Sequence, residues 1–321
     1  MNSQVNVTVG VFGTDSRAKS AFESAVAKKS EAEGIVVYHR TDAGRRISLL
    51  DTVDYPDRIQ GYSRIASICD YAYYFFPANG TLTPPDGELA VLLDAFGVQG
   101  TSILLDTVPS ELIRSYLKGT SVADFPTDSR ASTSSVLDPS GITPRPSLPK
   151  EGSMVYVDRA FSVKGVGTVA LGFVLSGRVM VHDRLRPISG PTGVTAEVRG
   201  IQVNDVDFDS AERGIRVGLS LRGVDPKDLD KCHWLDDGSF KLTDQLDLRY
   251  NQSPYYRQEV QGRDMHIQVP GEMIPAKFTS AGGTTNAKLP AMVPVWEGMQ
   301  VGVFDLNAKT LRVAGGATCM F

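Results

Sequence analysis

The stretch that decides the fold runs from Val157 to Leu185, VDRAFSVKGVGTVALGFVLSGRVMVHDRL, and resumes from Arg199 to Val224 as RGIQVNDVDFDSAERGIRVGLSLRGV. Both segments alternate apolar and polar residues with the two-residue period of a half-buried strand, and both reverse at glycines. Gly165 and Gly167 allow a tight turn that a side chain would obstruct. Beyond it Val169, Leu171 and Phe173 are expected to alternate inward and fill a closed barrel. Short strands of this kind predict one barrel over residues 151–235, and MHIQVPGEMI and MQVGVFDL predict a second over 236–321.

Upstream the periodicity changes. VNVTVGVFG, IVVYHR, RRISLLDT, YAYYFFPA and TSILLDTV are β-branched or apolar runs, whereas RAKSAFESAVAKK, YSRIASICDYA, GELAVLLDAFGV and SELIRSYLKG carry apolar residues at helical spacing. Strands alternating with helices predict a mostly parallel sheet covered by helices over residues 1–127. Between the two regimes, residues 128–150 read DSRASTSSVLDPSGITPRPSLPK, a Ser/Pro-rich linker with little from which to build a core.

Composition narrows the function. The 33 lysines and arginines nearly balance the 37 aspartates and glutamates, so no global field gathers phosphate backbones and a nucleic-acid partner must be held by local geometry. No apolar run is long enough for a membrane span, and the amino end has neither the basic region nor the small-residue cleavage site of a signal peptide, which makes the cytoplasm the expected location. Cys69, Cys232 and Cys319 show no CxxC spacing and read as packed thiols; His39, His182, His233 and His266 show no metal-ligand spacing. No Ser-His-Asp arrangement or paired-carboxylate motif stands out. Tyr255-Tyr256-Arg257 could stack on a nucleotide or pack on a strand equally well.

The stretch Met154 to Leu235 resembles the second domain of elongation factors of the SelB and EF-Tu kind, including the pyrrolysine-associated SelB-like factors of archaea. The resemblance is carried by Asp158 to Phe161, by the turn Lys164 to Thr168 and by Ser176-Gly177. It implies that the amino-terminal domain is a translational GTPase domain, with a phosphate loop at Gly13-Thr14-Asp15-Ser16-Arg17-Ala18-Lys19-Ser20. There Lys19 and Ser20 survive, but Ala18 replaces a glycine and Asp15 adds a negative charge. The second motif falls on Asp51-Thr52-Val53-Asp54-Tyr55: Asp51 could hold magnesium through a water, Asp54 replaces the glycine that senses the γ-phosphate, and Tyr55 replaces the histidine that orients water. Asp106-Thr107-Val108-Pro109 stands where Asn-Lys-x-Asp would select guanine, and Thr41 is a weak candidate for the first switch threonine.

The fold expected is therefore multidomain, α/β plus all-β: a degenerate GTPase-like parallel sheet with helices, followed by two elongation-factor barrels. Gly13, Lys19, Ser20 and Asp51 form the degenerate nucleotide site, with GTP or GDP and magnesium held weakly if at all, and no catalytic residue is assigned. By resemblance Asp158, Arg159 and Arg216 correspond to an aminoacyl pocket, against the alternative that Asp158 joins a structural ion pair. A messenger-reading fourth domain is not expected within the 321 residues. The function implied is a SelB-like paralogue binding aminoacyl-tRNA or the ribosome, without membrane attachment and with little GTP turnover. An active switch with unconventional motifs and a non-translational subunit that binds another protein are the alternatives.

Overall fold

The computed structural model describes residues 6–26, 28–31, 34–42, 45–104, 108–128, 142, 145, 149, 151–190, 193–230, 232–281 and 284–320. The chain forms two compact units: Met1–Arg145 with Leu246–Lys288 and Gln300–Phe321, and Pro146–Gln245 with Leu289–Met299.

The first unit opens with β1 (Asn6–Phe12), α1 (Ser16–Val26), β2 (Lys28–Glu31), β3 (Val36–Asp42), β4 (Arg45–Asp51), α2 (Gln60–Ile68), β5 (Tyr71–Phe75), α3 (Pro84–Phe96), β6 (Gly100–Ile103), α4 (Ser110–Tyr116) and β7 (Thr127–Asp128). Their sheet runs β2-β3-β4-β1-β5-β6-β7. β4, β1, β5, β6 and β7 are parallel neighbours, and β2 and β3 are added antiparallel. Val7, Val9, Val11, Leu49 and Tyr73 are buried together, as a parallel sheet covered on both faces requires. The strand β2 departs from the sequence reading, which extends the first helix through Lys29; the segment instead becomes the sheet edge, where polar residues are tolerated. Thr41 lies in the β3–β4 hairpin, paired with Arg46, and not in a switch loop.

In the second unit the strands are β8 (Met154–Val163), β9 (Gly167–Ser176), β10 (Arg178–Met180), β11 (Arg184–Ile188), β12 (Ala196–Val203), β13 (Val206–Phe208), β14 (Ser210–Glu212), β15 (Arg216–Arg222) and, after the short α5 (Pro226–Leu229), β16 (Trp234–Asp236). The order β11-β16-β8-β9-β15-β12 closes on itself through β11–β12, with β13 hairpinned outside. Gly165 and Gly167 have φ of 85° and 101°, the positive backbone angles the turn demands. Of the three side chains expected to face inward on β9, Phe173 is buried, at 2% exposure, though it stands outside the barrel's core cluster. Ala170 and Val174 enter the core with Val217 and Leu219, whereas Val169 and Leu171 are only half-buried and lie outside that core. The cause is Thr168, which turns inward because its hydroxyl donates to the Val224 carbonyl at 2.7 Å.

A second closed barrel, β17-β20-β19-β18-β21-β22, is formed by β17 (Lys241–Gln252), β18 (Met265–Val269), β19 (Glu272–Ala281), β20 (Thr284–Val295), β21 (Gln300–Phe304) and β22 (Val313–Met320). Within the first unit it lies against α2 and α3. Gly316 approaches the Ala95 carbonyl so closely that a Cβ would stand 2.0 Å from it, and Gly302 faces the Phe96 ring in the same way. Of the linker, most residues lie outside those described. Ile142 packs on the sheet core, and Arg145 is buried, donating to the Ala66 and Ser67 carbonyls at the end of α2. Tyr256 is also buried, its hydroxyl on Asp305, so it offers no stacking face.

Candidate functional site

β1 is followed by Gly13, which has φ of 144° and lies so near β5 that a Cβ would meet the Phe75 carbonyl at 2.8 Å. The chain then enters α1 with Asp15 as its cap: the Asp15 carboxylate accepts the Ala18 amide at 2.9 Å. An aspartate so placed supplies, from within the chain, the negative charge that a helix amino terminus favours. Thr14 turns away, its hydroxyl donating to Asp86 at 2.5 Å, and Asp86 also caps α3 through Thr83.

One turn into α1, the Lys19 ammonium donates to both carboxylate oxygens of Asp51, at 2.8 and 2.9 Å. It also donates to the Tyr62 hydroxyl at 2.5 Å. Tyr62 in turn donates to Asp51 at 2.8 Å, with the Gly13 carbonyl 3.3 Å away. Lys19 is 4% exposed, Asp51 7% and Tyr62 0%. Glu23, one helical turn beyond Lys19 on the same face, adds a second buried carboxyl. It bonds to Tyr38 and lies against Asp51, while its Oε1 finds no partner among the described residues. Burial, reinforced by the charge of Asp51, pushes the Glu23 carboxyl up to about 8, with Tyr38 and Lys19 opposing. Burial and Asp51 likewise raise the Tyr62 phenol well above its ordinary range, so it stays protonated as a donor.

The structure thus joins Gly13, Lys19 and Asp51 but leaves Ser20 exposed on α1. Tyr62, Glu23 and Tyr38 are members that the motif reading missed. Only Glu23 was legible, four residues after Lys19 on a helix. Tyr55 is engaged elsewhere: its hydroxyl donates to the Pro85 carbonyl at 2.6 Å and lies 3.2 Å from Glu88. Glu88 is clasped by Arg312 of the second barrel, which donates from its guanidinium at 2.5 and 3.1 Å and from its backbone amide at 2.7 Å. Asp106 and Thr107 lie outside the described residues. Among the described residues no group of three or more His, Cys, Asp or Glu side chains is placed to hold a metal ion, and no helix is long and apolar enough to cross a membrane.

In the first barrel, Asp158 is the extra residue of a bulge in β8, between Val157 and Arg159. Its side chain is 4% exposed and accepts from Arg216 at 3.1 Å; the Arg216 side chain is 11% exposed and lies over the Phe173 ring, 5.9 Å from its centroid. The Arg216 Nε is buried without a partner among the described residues. Arg159 is exposed, with its guanidinium over Phe161.

A parallel-sheet α/β domain followed by two closed six-stranded barrels defines the architecture of a translation elongation factor. No family model matches the chain. An uncharacterised protein of Methanocaldococcus jannaschii is 30% identical over 273 residues, covering 82% of this chain and 83% of that protein. The selenocysteine-specific elongation factor of the same organism is 32% identical over 187 residues, 50% of this chain and 39% of the factor. Among solved structures, a bacterial selenocysteine-specific elongation factor superposes with a TM-score of 0.80 at 18% identity, over 98% of this chain and 58% of that one. The apo form of SelB from Methanococcus maripaludis gives 0.78 at 21% identity, over 99% of this chain and 80% of its own. The chain belongs to the SelB-like elongation factor family.

Proposed function

We propose that this chain is a SelB-like factor that binds aminoacyl-tRNA without using a nucleotide switch. The observation that carries the reading is the Lys19 ammonium, engaged by both oxygens of Asp51 and by Tyr62 at 4% exposure. A phosphate needs that cation free and a magnesium shell needs the carboxylate free; here each is the other's ligand. The Ala18 amide is taken by Asp15, and the Tyr55 hydroxyl is bonded to Pro85 and Glu88 on α3, so an amide of the phosphate loop and the residue at the water-orienting position are both engaged within the chain. GTP and magnesium do not fit these side chains as they are arranged.

A solved relative, SelB from Methanococcus maripaludis in complex with the GTP analogue GppNHp, has the same fold with a TM-score of 0.77, so the scaffold itself accommodates a nucleotide. The difference proposed here lies in the site and not in the fold. Support for a tRNA partner comes from the family and from the matching of Asp158, Arg159 and Arg216 to its aminoacyl pocket. Purification from native lysate followed by sequencing of bound RNA tests this: charged tRNA, or ribosomes carrying it, is expected. An RNA-free protein complex would favour the non-translational alternative.

A further inference from the structure

α2 is held from two sides by buried polar contacts. On the sheet side the Tyr62 hydroxyl joins Lys19, Asp51 and Gly13, so that α1, β4 and the end of β1 meet α2 at one oxygen. On the barrel side Ser63 donates to Gln268 at 2.7 Å, the Gly271 amide donates to Ser67 at 3.0 Å, and Arg64 donates to the Gly271 carbonyl at 2.9 Å. Ser63, Ser67 and Gln268 are each 1% exposed or less. At the end of the helix Arg145 donates to the Ala66 and Ser67 carbonyls at 2.7 and 2.6 Å. A helix that slid or rotated would leave buried donors and acceptors unpaired on both faces together, which folded proteins avoid. The residues that hold it are all supplied by this chain.

We propose that Lys19, Asp51 and Tyr62 act as an internal effector: through Tyr62 they fix α2 against the second barrel, so that the α/β domain and that barrel keep one conformer with no ligand bound. This rests on the nucleotide-free reading of the same centre and adds what the centre does. The hydrogen bonds of this coupling meet at a single oxygen, while the Tyr62 ring packs against Phe12, 5.0 Å between centroids, and Tyr55, 5.2 Å, with the Lys19 ammonium over its face 5.2 Å from the centroid. Tyr62→Phe keeps the ring contacts and the Lys19–Asp51 pair while removing the hydrogen bonds that join them to α2.

Hydrogen–deuterium exchange on the full chain reads the result. In Tyr62→Phe the amides of α2 and of Gly271 should exchange about tenfold faster while those of α3 keep their rates. Unchanged α2 rates, or an even acceleration throughout the first unit, would overturn the proposal. Ser67→Ala, on the barrel face, leaves the ion-pair centre intact and serves if Tyr62→Phe does not accumulate folded. It should speed α2 while β1 and β4 stay protected, and an evenly spread effect again counts against the link. In the double variant the two effects should be less than multiplicative, because a released helix has little more to lose; factors that multiply would show the two faces to be independent. Adding GTP with magnesium to the unmodified chain should leave α2 exchange unchanged. Protection gained there would overturn the nucleotide-free reading, and Tyr62→Phe would still judge the lock.

Discussion

Replacing Lys19 with methionine separates a structural lysine from a nucleotide-binding one. The substitution keeps an unbranched, flexible stem of similar bulk but removes the cation and its three hydrogen bonds, two to Asp51 and one to Tyr62. Asp51, 7% exposed, would then keep the Tyr62 hydroxyl and face the Glu23 carboxyl with no positive charge to offset either. Breaking a buried pair by removing one partner costs about 3–5 kcal/mol. The assay has an internal control: Trp234 and Trp296 both lie in the second unit, whereas helices α1 to α4 lie in the first. Denaturant titration should therefore show the helical far-ultraviolet transition moving to lower concentration while tryptophan fluorescence keeps its midpoint. A loss below about 1 kcal/mol, the range of exposed pairs, would refute the account, because a lysine kept free for phosphate contributes little to folding.

Three further outcomes follow from the same geometry. Arg216→Ala should weaken charged-tRNA binding about 10- to 150-fold with a small change in stability, as the aminoacyl-pocket assignment requires; a loss of about 3–5 kcal/mol of stability, read by tryptophan fluorescence, with charged-tRNA binding unchanged would instead make the Asp158–Arg216 pair structural. Glu23 has a folded value raised from 4.5 to about 8, so its stabilising contribution is full below about 4.5 and is lost as pH rises through about 8; Glu23→Gln should flatten that decline in a pH series of melts, and an unchanged slope would contradict it. Ala18→Gly should lower stability by about 1 kcal/mol through helix propensity and bring no gain in phosphate binding, because Asp15 already holds that amide; tighter binding of GTP by the variant would show the loop to be intact.

The layers of the fold were legible because periodicity reports burial: parallel strands such as Tyr71–Phe75, YAYYF, read as unbroken apolar runs, and the barrels as alternation. The phase of β9 was not, because Thr168 places a satisfied hydroxyl inside and Arg216 covers Phe173 outside, so polarity no longer marks the face. Nor was β2, whose polar residues resemble the continuation of α1. In the site, Gly13, Lys19 and Asp51 were identifiable one by one from their places in the chain. Their direct pairing was not, since Lys19 and Asp51 are 32 residues apart and the same two residues would serve a nucleotide equally well. What decides between the readings is Tyr62, and only the folding of α2 brings its hydroxyl to the pair. Asp15, read from the sequence only as an added negative charge, is a capping residue just before a helix, and in the fold it accepts the Ala18 amide.

The most direct test of the central claim is a calorimetric titration of the full chain with GTP and with ATP in the presence of magnesium. Both nucleotides should give weak and unselective heats, with dissociation constants no tighter than about 1 mM, because binding must first break the buried Lys19–Asp51 pair. A dissociation constant for GTP below about 1 μM, with ATP far weaker, would contradict it and restore the chain to the nucleotide-driven members of its family.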